Sequence, residues 1–271
     1  MVTNRATPEQ QEALELLRAW ADRAGRSGPD VQLPIAFVRD AVNLKPPLAR
    51  MIGGGRGDVR LGMYLTMVLR ATRAPHDIKY NPLPFRWAEM LALSEPKRAG
   101  ARRVKEALRW LSRQKLVEVT PRPGRAPTVK LLNVSGDGSA FSKEGPRWIG
   151  VPTGLWTQGW VIDLPARALA LLLILLELQG GRTSIAEAPY VDQERRASYG
   201  LSEDTWTRAT KDLKTRELLK VNRIPIGDEF RYDRLRNTFW IDRMKLAESP
   251  WAPEPPESVS DAVATRSPDN S

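Results

Sequence analysis

Residues 85–134 read FRWAEMLALSEPKRAGARRVKEALRWLSRQKLVEVTPRPGRAPTVKLLNV, and the order of local signals in this stretch decides the fold. Hydrophobic periodicity predicts a short helix over 85–93 and a long helix over 97–115, joined by a tight turn. Two β-rich segments, 116–120 and 128–134, flank the turn sequence PRPGRAP and predict a hairpin. The stretch therefore consists of two helices followed by a hairpin.

The same order extends upstream and recurs downstream. An apolar segment at 61–72 predicts a first helix, so residues 61–134 form a unit of three helices and a hairpin. Residues 155–243 repeat that order after an initial strand. The elements predicted in this second unit are a strand at 155–163, helices at 165–178, 191–199 and 202–218, and hairpin strands at 219–225 and 237–242.

Composition sets the boundaries of the two units. Residues 1–60 are predicted to be an N-terminal helical extension, with an amphipathic helix at 8–24 and a short helix at 35–42. The Gly/Ser/Pro-rich segment 135–154 predicts a linker, and the proline-rich segment 244–271 predicts a disordered acidic tail. The expected fold class is α+β, mainly α-helical with small β-hairpins.

Positive charge is concentrated in the first unit. The chain has a formal net charge of +10, and residues 61–134 contain 15 basic and 5 acidic side chains. Residues 155–243, in contrast, contain 14 basic and 13 acidic side chains. Because a clustered basic surplus attracts a polyanion, the first unit is expected to be the stronger electrostatic anchor.

The predicted helix at 97–115 has two chemically distinct faces. It holds eight basic residues and one acidic residue, Glu106, so i,i+4 pairs cannot neutralise it. The apolar face, expected to pack on the core, consists of Ala101, Val104, Ala107, Leu108 and Leu111. The opposite, basic face consists of Arg98, Arg102, Lys105, Arg109 and Arg113.

This basic face predicts binding to double-stranded DNA. An α-helix fits the major groove, and its N-terminal part reaches base edges in helix-turn-helix docking. Arg98, Arg102 and Lys105 are therefore the candidates for reading bases, and Arg109 and Arg113 are the candidates for phosphate contacts. The hairpin adds Arg122, Arg125 and Lys130, which are expected to hold the backbone or enter the flanking minor groove.

The second unit gives a weaker signal. The helix at 202–218 is expected to present Thr207, Arg208, Lys211 and Thr215, with Trp206, Ala209 and Leu213 turned inward. The hairpin that follows contains Arg223, Arg231, Arg234 and Arg236. Since Asp204, Asp212 and Glu217 share the helix, this unit is expected to add specificity, to form a homodimer or to bind a protein, and the three alternatives stay open.

The residue inventory disfavours catalysis and metal binding. The chain has no cysteine and a single histidine, His76, which is expected to be either satisfied within the fold or solvated. No catalytic residue, metal, cofactor or small-molecule substrate is therefore expected. The glycine run GGGRG at 53–57 lacks the spacing and lysine of a phosphate-binding loop. Of the nine tryptophans, four are expected to serve packing rather than base stacking: Trp87, Trp110, Trp206 and Trp240.

Neither a membrane span nor a signal peptide is expected. The longest apolar run, 164–178, contains Arg167 and Glu177 and is short for a bilayer. The first residues, MVTNRATPEQQE, lack the apolar core of a signal peptide. The expected location is the cytoplasm, in association with the nucleoid or a plasmid.

Two segments resemble the helix-turn-recognition helix of the winged-helix superfamily. They are YGLSEDTWTRATKDLKTRELLKV at 199–221 and RVKEALRWLSRQKLVEV at 103–119. Two such units in one chain resemble plasmid replication initiator proteins. The resemblance implies two tandem winged helix-turn-helix domains and sequence-specific binding of double-stranded DNA, in replication initiation or transcription regulation. The alternative that stays open is a protein-interaction scaffold of a chromosome-organising or partition complex.

Overall fold

The structure is a computed structural model that describes residues 5–25, 28–40, 42, 45–141, 147–226 and 234–252. The fold is α+β with small antiparallel sheets, as the sequence predicts. No helix among the described residues is long and apolar enough to cross a membrane.

The first half of the chain contains five α-helices and four strands within the described ranges. They are α1 (Pro8–Asp22), β1 (Asp30–Pro34), α2 (Pro47–Ile52), α3 (Gly57–Arg70), β2 (Asp77–Ile78), α4 (Pro84–Met90), α5 (Ala101–Arg113), β3 (Val117–Arg122) and β4 (Arg125–Leu131). A 3₁₀ turn at Ile35–Phe37 replaces the helix predicted at 35–42, and a π-helical turn at Pro96–Gly100 precedes α5.

The second half contains a further five α-helices and three strands within those ranges. They are β5 (Trp148–Pro152), α6 (Gly154–Thr157), α7 (Trp160–Asp163), α8 (Ala166–Gln179), α9 (Gln193–Ser198), α10 (Glu203–Thr215), β6 (Leu219–Ile226) and β7 (Arg234–Ile241). Short 3₁₀ turns lie at Ile185–Glu187 and Lys245–Ala247.

Helix α1 is anchored to the core rather than extending from it. Thr7 and Gln10 form a reciprocal capping box, and Pro8 at the first helical position favours the start of the helix. Leu17 and Trp20 are buried, and the indole nitrogen of Trp20 donates to the carbonyl of Thr66 at 3.0 Å. The N-terminal segment therefore belongs to the same packed body as α3.

Both halves contain the same order of elements. In the first, α3, β2, α4 and α5 are followed by the β3–β4 hairpin, and β2 joins that hairpin to give the antiparallel order β2-β4-β3. In the second, α8, α9 and α10 are followed by the β6–β7 hairpin. Tyr190 precedes α9 and bridges Thr238 of β7, so it takes the position that β2 occupies in the first half.

A strand pair joins the two halves and corrects the predicted linker at 135–154. Within that segment, Trp148–Pro152 forms β5, which pairs antiparallel with β1, and Gln32 lies opposite Gly150 at the centre. The strands carry the similar sequences VQLP at 31–34 and IGVP at 149–152, whose apolar side chains are buried. The strand predicted at 155–163 is also wrong, because α6 and α7 occupy it.

The two predicted domains share one hydrophobic core. Helix α3 begins at Gly57, inside the predicted extension 1–60, and contacts α8 of the other half. A Cβ atom on Gly57 would lie 2.7 Å from the Cα of Ile52 and 3.2 Å from the Cβ of Ala166, so glycine permits this close approach. The buried cluster continues from Leu17 to Leu246.

The segment predicted as a disordered tail, 244–271, is structured as far as residue 252. Leu246 is fully buried and Trp251 is 6% exposed. The indole nitrogen of Trp160 donates to the carbonyl of Glu248 at 2.9 Å. Burial of these two large apolar side chains stabilises the segment, although its composition predicts disorder. Residues 253–271 lie outside the described residues, so the prediction for them stays a prediction.

Candidate nucleic-acid interface

Close packing fixes α5 against α4. A Cβ atom on Gly100 would lie 2.9 Å from the Cβ of Ala88, so only glycine lets the two helices approach this closely. Trp87 is buried, and its indole nitrogen donates to the Oδ1 of Asn81 at 3.0 Å. The Gly100–Ala88 approach therefore positions the start of α5 on α4, which is itself anchored through Trp87.

The structure separates the two faces of α5 as the periodicity predicts. Val104, Ala107 and Leu111 are buried, whereas the side chains of the basic face are exposed. The exposed set comprises Arg102, Lys105, Arg109 and Arg113, together with Arg98 in the π-helical turn. Ala101 and Leu108, both expected on the buried face, are only half-buried.

The described part of the chain places no counter-charge beside the basic face. Of the residues that the structure describes, none places a carboxylate oxygen within 4.0 Å of the side-chain nitrogens of Arg98, Arg102, Lys105, Arg109 or Arg113. Glu106 is the one acidic residue of α5, and it contacts Arg56 instead. These five cations therefore form a surface of uncompensated positive charge in the described part of the fold.

Two of the three basic residues predicted on the hairpin are exposed. Arg122 and Arg125 face each other across the turn between β3 and β4, and the Arg122 guanidinium donates to the carbonyl of Lys79 at 3.4 Å. Lys130 is half-buried and is paired in register with Glu118 on one side and Asp77 on the other. Lys130 is therefore less accessible than the two arginines.

A groove runs between α5 and the hairpin. Its volume is about 720 Å³, and it is lined by Leu108, Ser112 and Val119 together with three of the basic residues of α5. Arg109 and Arg113 form one wall of this groove and also line a second cavity on the other flank of α5. The basic face of α5 thus lies between the groove and this cavity.

Sequence reasoning missed some accessible side chains near this surface. Tyr80, 86% exposed, follows β2 and adjoins Lys79, which contacts Arg122. Arg56 and Arg60, contributed by the start of α3, line the second cavity beside α5. No periodic signal in α5 could identify them, because their position depends on the packing of α3 on α5.

The corresponding helix of the second half, α10, is capped as expected but partly neutralised. Ser202 accepts from the Thr205 amide at 3.2 Å, and Trp206, Ala209 and Leu213 are buried. The exposed residues include Thr207, Arg208, Lys211 and Thr215.

Two ion pairs neutralise charge on or beside α10. Arg208 pairs with Asp204 at 2.9 Å, and Asp212 pairs with Arg167 of α8 at 2.6 Å. The pair with Arg167 removes a negative charge from α10, but Glu203–Thr215 contains three acidic and three basic side chains. The net positive field of α10 is therefore weaker than that of α5.

One of the four arginines predicted on the second hairpin is exposed in the described residues. Arg223 is exposed on β6, whereas Arg236 is half-buried and stacks over the Tyr190 ring at 5.1 Å. Arg231 and the side chain of Arg234 lie outside the described residues. The hairpin also exposes Leu235, which is 65% accessible.

The single histidine of the chain packs inside the fold. His76 is buried, its Nδ1 lies 3.1 Å from the carbonyl of Ala71, and its ring packs edge-on against Phe141. Within the described ranges no group of three or more His, Asp or Glu side chains is arranged to hold a metal ion.

The tryptophans expected to pack do so to different extents. Trp87 and Trp206 are buried, and Trp110 and Trp240 are half-buried. None of these four is therefore freely exposed for stacking on a base.

No known protein family, curated protein or solved structure matches the chain.

Proposed function

We propose that the protein binds double-stranded DNA without performing chemistry, through two tandem winged-helix units. The first unit runs from α3 to β4 and the second from α8 to β7. Support comes from the repeated order of three helices and a hairpin, with a short strand between the first two helices in one half and a bridging residue in the other.

One observation carries the proposal: the exposed basic face of α5 lacks acidic partners in the described fold. An α-helix about 10–12 Å across matches the roughly 12 Å wide major groove of B-DNA. Arg98, Arg102 and Lys105, at the start of the helix, are assigned to base edges. Arg109 and Arg113 are assigned to phosphates.

The hairpin after α5 extends the proposed contact. Arg122 and Arg125 are exposed beside the β3–β4 turn, where they are able to hold the backbone or enter the flanking minor groove. Lys130 is kept as a secondary contact because its half-buried position limits its reach.

For the second unit, protein binding is a competing function. The Arg208–Asp204 pair reduces the charge of α10, and Leu235 and Tyr190 expose apolar surface beside Arg223 and Arg236. Such a surface suits either a second DNA contact through Thr207 and Lys211 or a protein partner, including another copy of this chain. A scaffold role rests on this second possibility.

The biological role that we propose is replication initiation or transcription regulation for a plasmid or other mobile element. The support is the tandem arrangement of two units in one chain, which would suit repeated origin sequences. Binding in the nucleoid or on a plasmid would follow from that role. Selection of bound fragments from the host's own DNA separates repeats at an origin from operators at promoters.

Titration with duplex DNA at several salt concentrations tests the binding itself. Neutralising about six phosphates would give a slope near −5 in a plot of log affinity against log salt. An affinity that does not depend on salt would favour the scaffold function. So would a pull-down that recovers a protein partner while gel shifts show no retarded DNA.

A further inference from the structure

A cavity of about 150 Å³ lies between the start of α3 and the flank of α5. Its charged lining consists of Arg56, Arg60, Arg103, Glu106, Arg109 and Arg113. Five arginines thus line one small space, together with a single acidic residue. This concentration of positive charge in a concave site is the electrostatic arrangement that attracts an anion.

The single carboxylate of the cavity is already engaged. Glu106 contacts Arg56, and no carboxylate among the described residues lies within 4.0 Å of the side-chain nitrogens of Arg60 or Arg103. Burial and the positive charges of Arg56 and Arg113 lower the pKa of Arg60. The guanidinium still stays protonated, because its ordinary pKa lies far above neutrality. The folded protein therefore keeps mutually repelling cations in this cavity.

Arg60 is held in place before any ligand arrives. Its Nη1 donates to the carbonyl of Gly53 at 3.0 Å, and its Cζ lies 4.8 Å from the centroid of the Trp110 ring. Stacking and this hydrogen bond restrict the long side chain, which lowers the entropy cost of binding. Such preorganisation is typical of a binding site and is unnecessary for a solvated surface arginine.

We propose that this cavity binds a phosphate group of the DNA backbone. Guanidinium groups match phosphate oxygens with paired hydrogen bonds, and several forks suit a tetrahedral anion better than a planar one. The volume is below the roughly 300 Å³ of a small-molecule ligand pocket, which favours a single phosphate over a whole nucleotide.

The position of the cavity favours the backbone as the source of the phosphate. Arg109 and Arg113 line the cavity and also belong to the basic face of α5, so the two surfaces are continuous. A helix in the major groove has a sugar-phosphate strand on either side. The inference rests on the proposed function, and it extends the contact from α5 to α3.

The test uses full-length protein with Arg60→Gln, Arg103→Gln and, as a matched control, Arg23→Gln, which changes an exposed arginine at the end of α1. Affinity for two duplexes of unrelated sequence is measured between about 50 and 200 mM salt. We expect either cavity variant to make the log-log slope shallower by about 0.9 on both duplexes, because a phosphate contact is blind to sequence. Arg23→Gln is expected to leave the slope unchanged.

A second measurement examines the cavity without DNA. Inorganic phosphate is compared with chloride at matched ionic strength, and we expect it to raise the Tm of the wild-type protein by about 1–3 °C. The shift is expected to disappear in Arg60→Gln and Arg103→Gln and to persist in Arg23→Gln. Two cavity variants are used so that misfolding of one, visible as a low starting Tm, leaves the other to decide.

The outcomes separate this proposal from the proposed function. An unchanged slope in both cavity variants would overturn the backbone assignment, even if free phosphate still raised the Tm. If the wild-type protein bound no duplex, the proposed function would be wrong. A Tm increase with phosphate that disappears in the cavity variants would then support a phosphate site that does not serve DNA binding. Absence of both effects would remove the site altogether.

Discussion

The guanidinium of Arg56, at the start of α3, contacts the carboxylate of Glu106, the single acidic residue of α5. Both side chains are partly exposed, so the pair contributes at most about 1 kcal/mol to stability. Its larger effect is on charge. The pair directs the one negative side chain of the helix towards α3, so the basic face has no counter-ion within the described part of the chain.

Glu106→Gln is therefore expected to strengthen DNA binding. Loss of the carboxylate removes a negative charge from the cavity beside Arg109 and Arg113, and we expect about a two- to fivefold gain in duplex affinity at low salt. Fluorescence anisotropy measures this gain, and Glu12→Gln, which changes an exposed residue of α1, is the matched control. Equal affinities for wild type and Glu106→Gln would contradict the assignment of this flank to DNA.

The ranking of the two units is tested by paired substitutions. Arg102→Ala with Arg109→Ala is expected to cost about 2 kcal/mol or more of duplex binding, roughly 30-fold, because neither cation has an acidic partner among the residues that the structure describes. The Tm should change little, since both side chains are exposed. Gel shifts and thermal melts of the same samples give the two quantities.

Arg208→Ala with Lys211→Ala is the comparison for the second unit. We expect a smaller loss of affinity, because Asp204 already neutralises Arg208 at 2.9 Å. If this pair proved more damaging than the pair on α5, the first unit would not be the main anchor. If neither pair mattered, the protein-binding alternative would gain support.

Local patterns predicted the part of the site that lies on single helices. The inward Val104 and Leu111 and the outward Arg102 follow from the 3.6-residue period of α5. Ser202 predicted the start of α10, and its hydroxyl accepts a hydrogen bond from the Thr205 amide there. Such features depend on neighbours within one turn, so the sequence contains all the information that they need.

Features that depend on distant partners could not be predicted in this way. Gly150 and Pro152 lie in the predicted linker, yet both belong to the β1–β5 pair, and a Cβ at Gly150 would displace the Asp30 carboxylate. Arg243 binds both the Asp30 carboxylate and the Gly150 carbonyl, from a third part of the chain. The contribution of Arg60 to the cavity likewise depends on how α3 packs on α5.

The contact between Gly159 and Trp251 predicts a measurable coupling between the C-terminal segment and the turn before α7. Gly159 has φ of 90°, and a Cβ there would lie 2.4 Å from the Trp251 ring. Gly159→Ala is therefore expected to destabilise the protein by about 2–4 kcal/mol, through backbone strain and displacement of the ring. Urea denaturation measures the free energy of unfolding.

The double variant separates the two causes of that destabilisation. In a Trp251→Ala background the clash is absent, so Gly159→Ala should cost only the backbone strain of about 1–2 kcal/mol. Fully additive effects would show that Trp251 does not lie on Gly159 in solution.

A buried polar cluster joins α8, α9 and the segment after β1. The Glu177 carboxylate accepts from the Tyr199 hydroxyl at 2.5 Å and pairs with Arg39 and Arg195, each at 3.4 Å. Burial raises the pKa of Tyr199, the Glu177 carboxylate raises it further, and Arg195 opposes the shift. Burial also raises the pKa of Tyr64. Both phenols are thus held protonated in the folded state.

These raised pKa values predict a loss of stability at alkaline pH. The unfolded chain releases its tyrosine protons from about pH 10, whereas the folded chain retains those of Tyr64 and Tyr199, so the free energy of unfolding falls as pH rises above that value. Each tyrosine contributes up to about 1.4 kcal/mol per pH unit. Tyr199→Phe should lower stability near neutral pH by about 1–2 kcal/mol, because Glu177 loses a hydrogen bond, and should flatten the alkaline decline. Urea titrations between about pH 8 and pH 11 compare the two proteins, and parallel curves would contradict the role of Tyr199, since lysine and arginine titration is common to both.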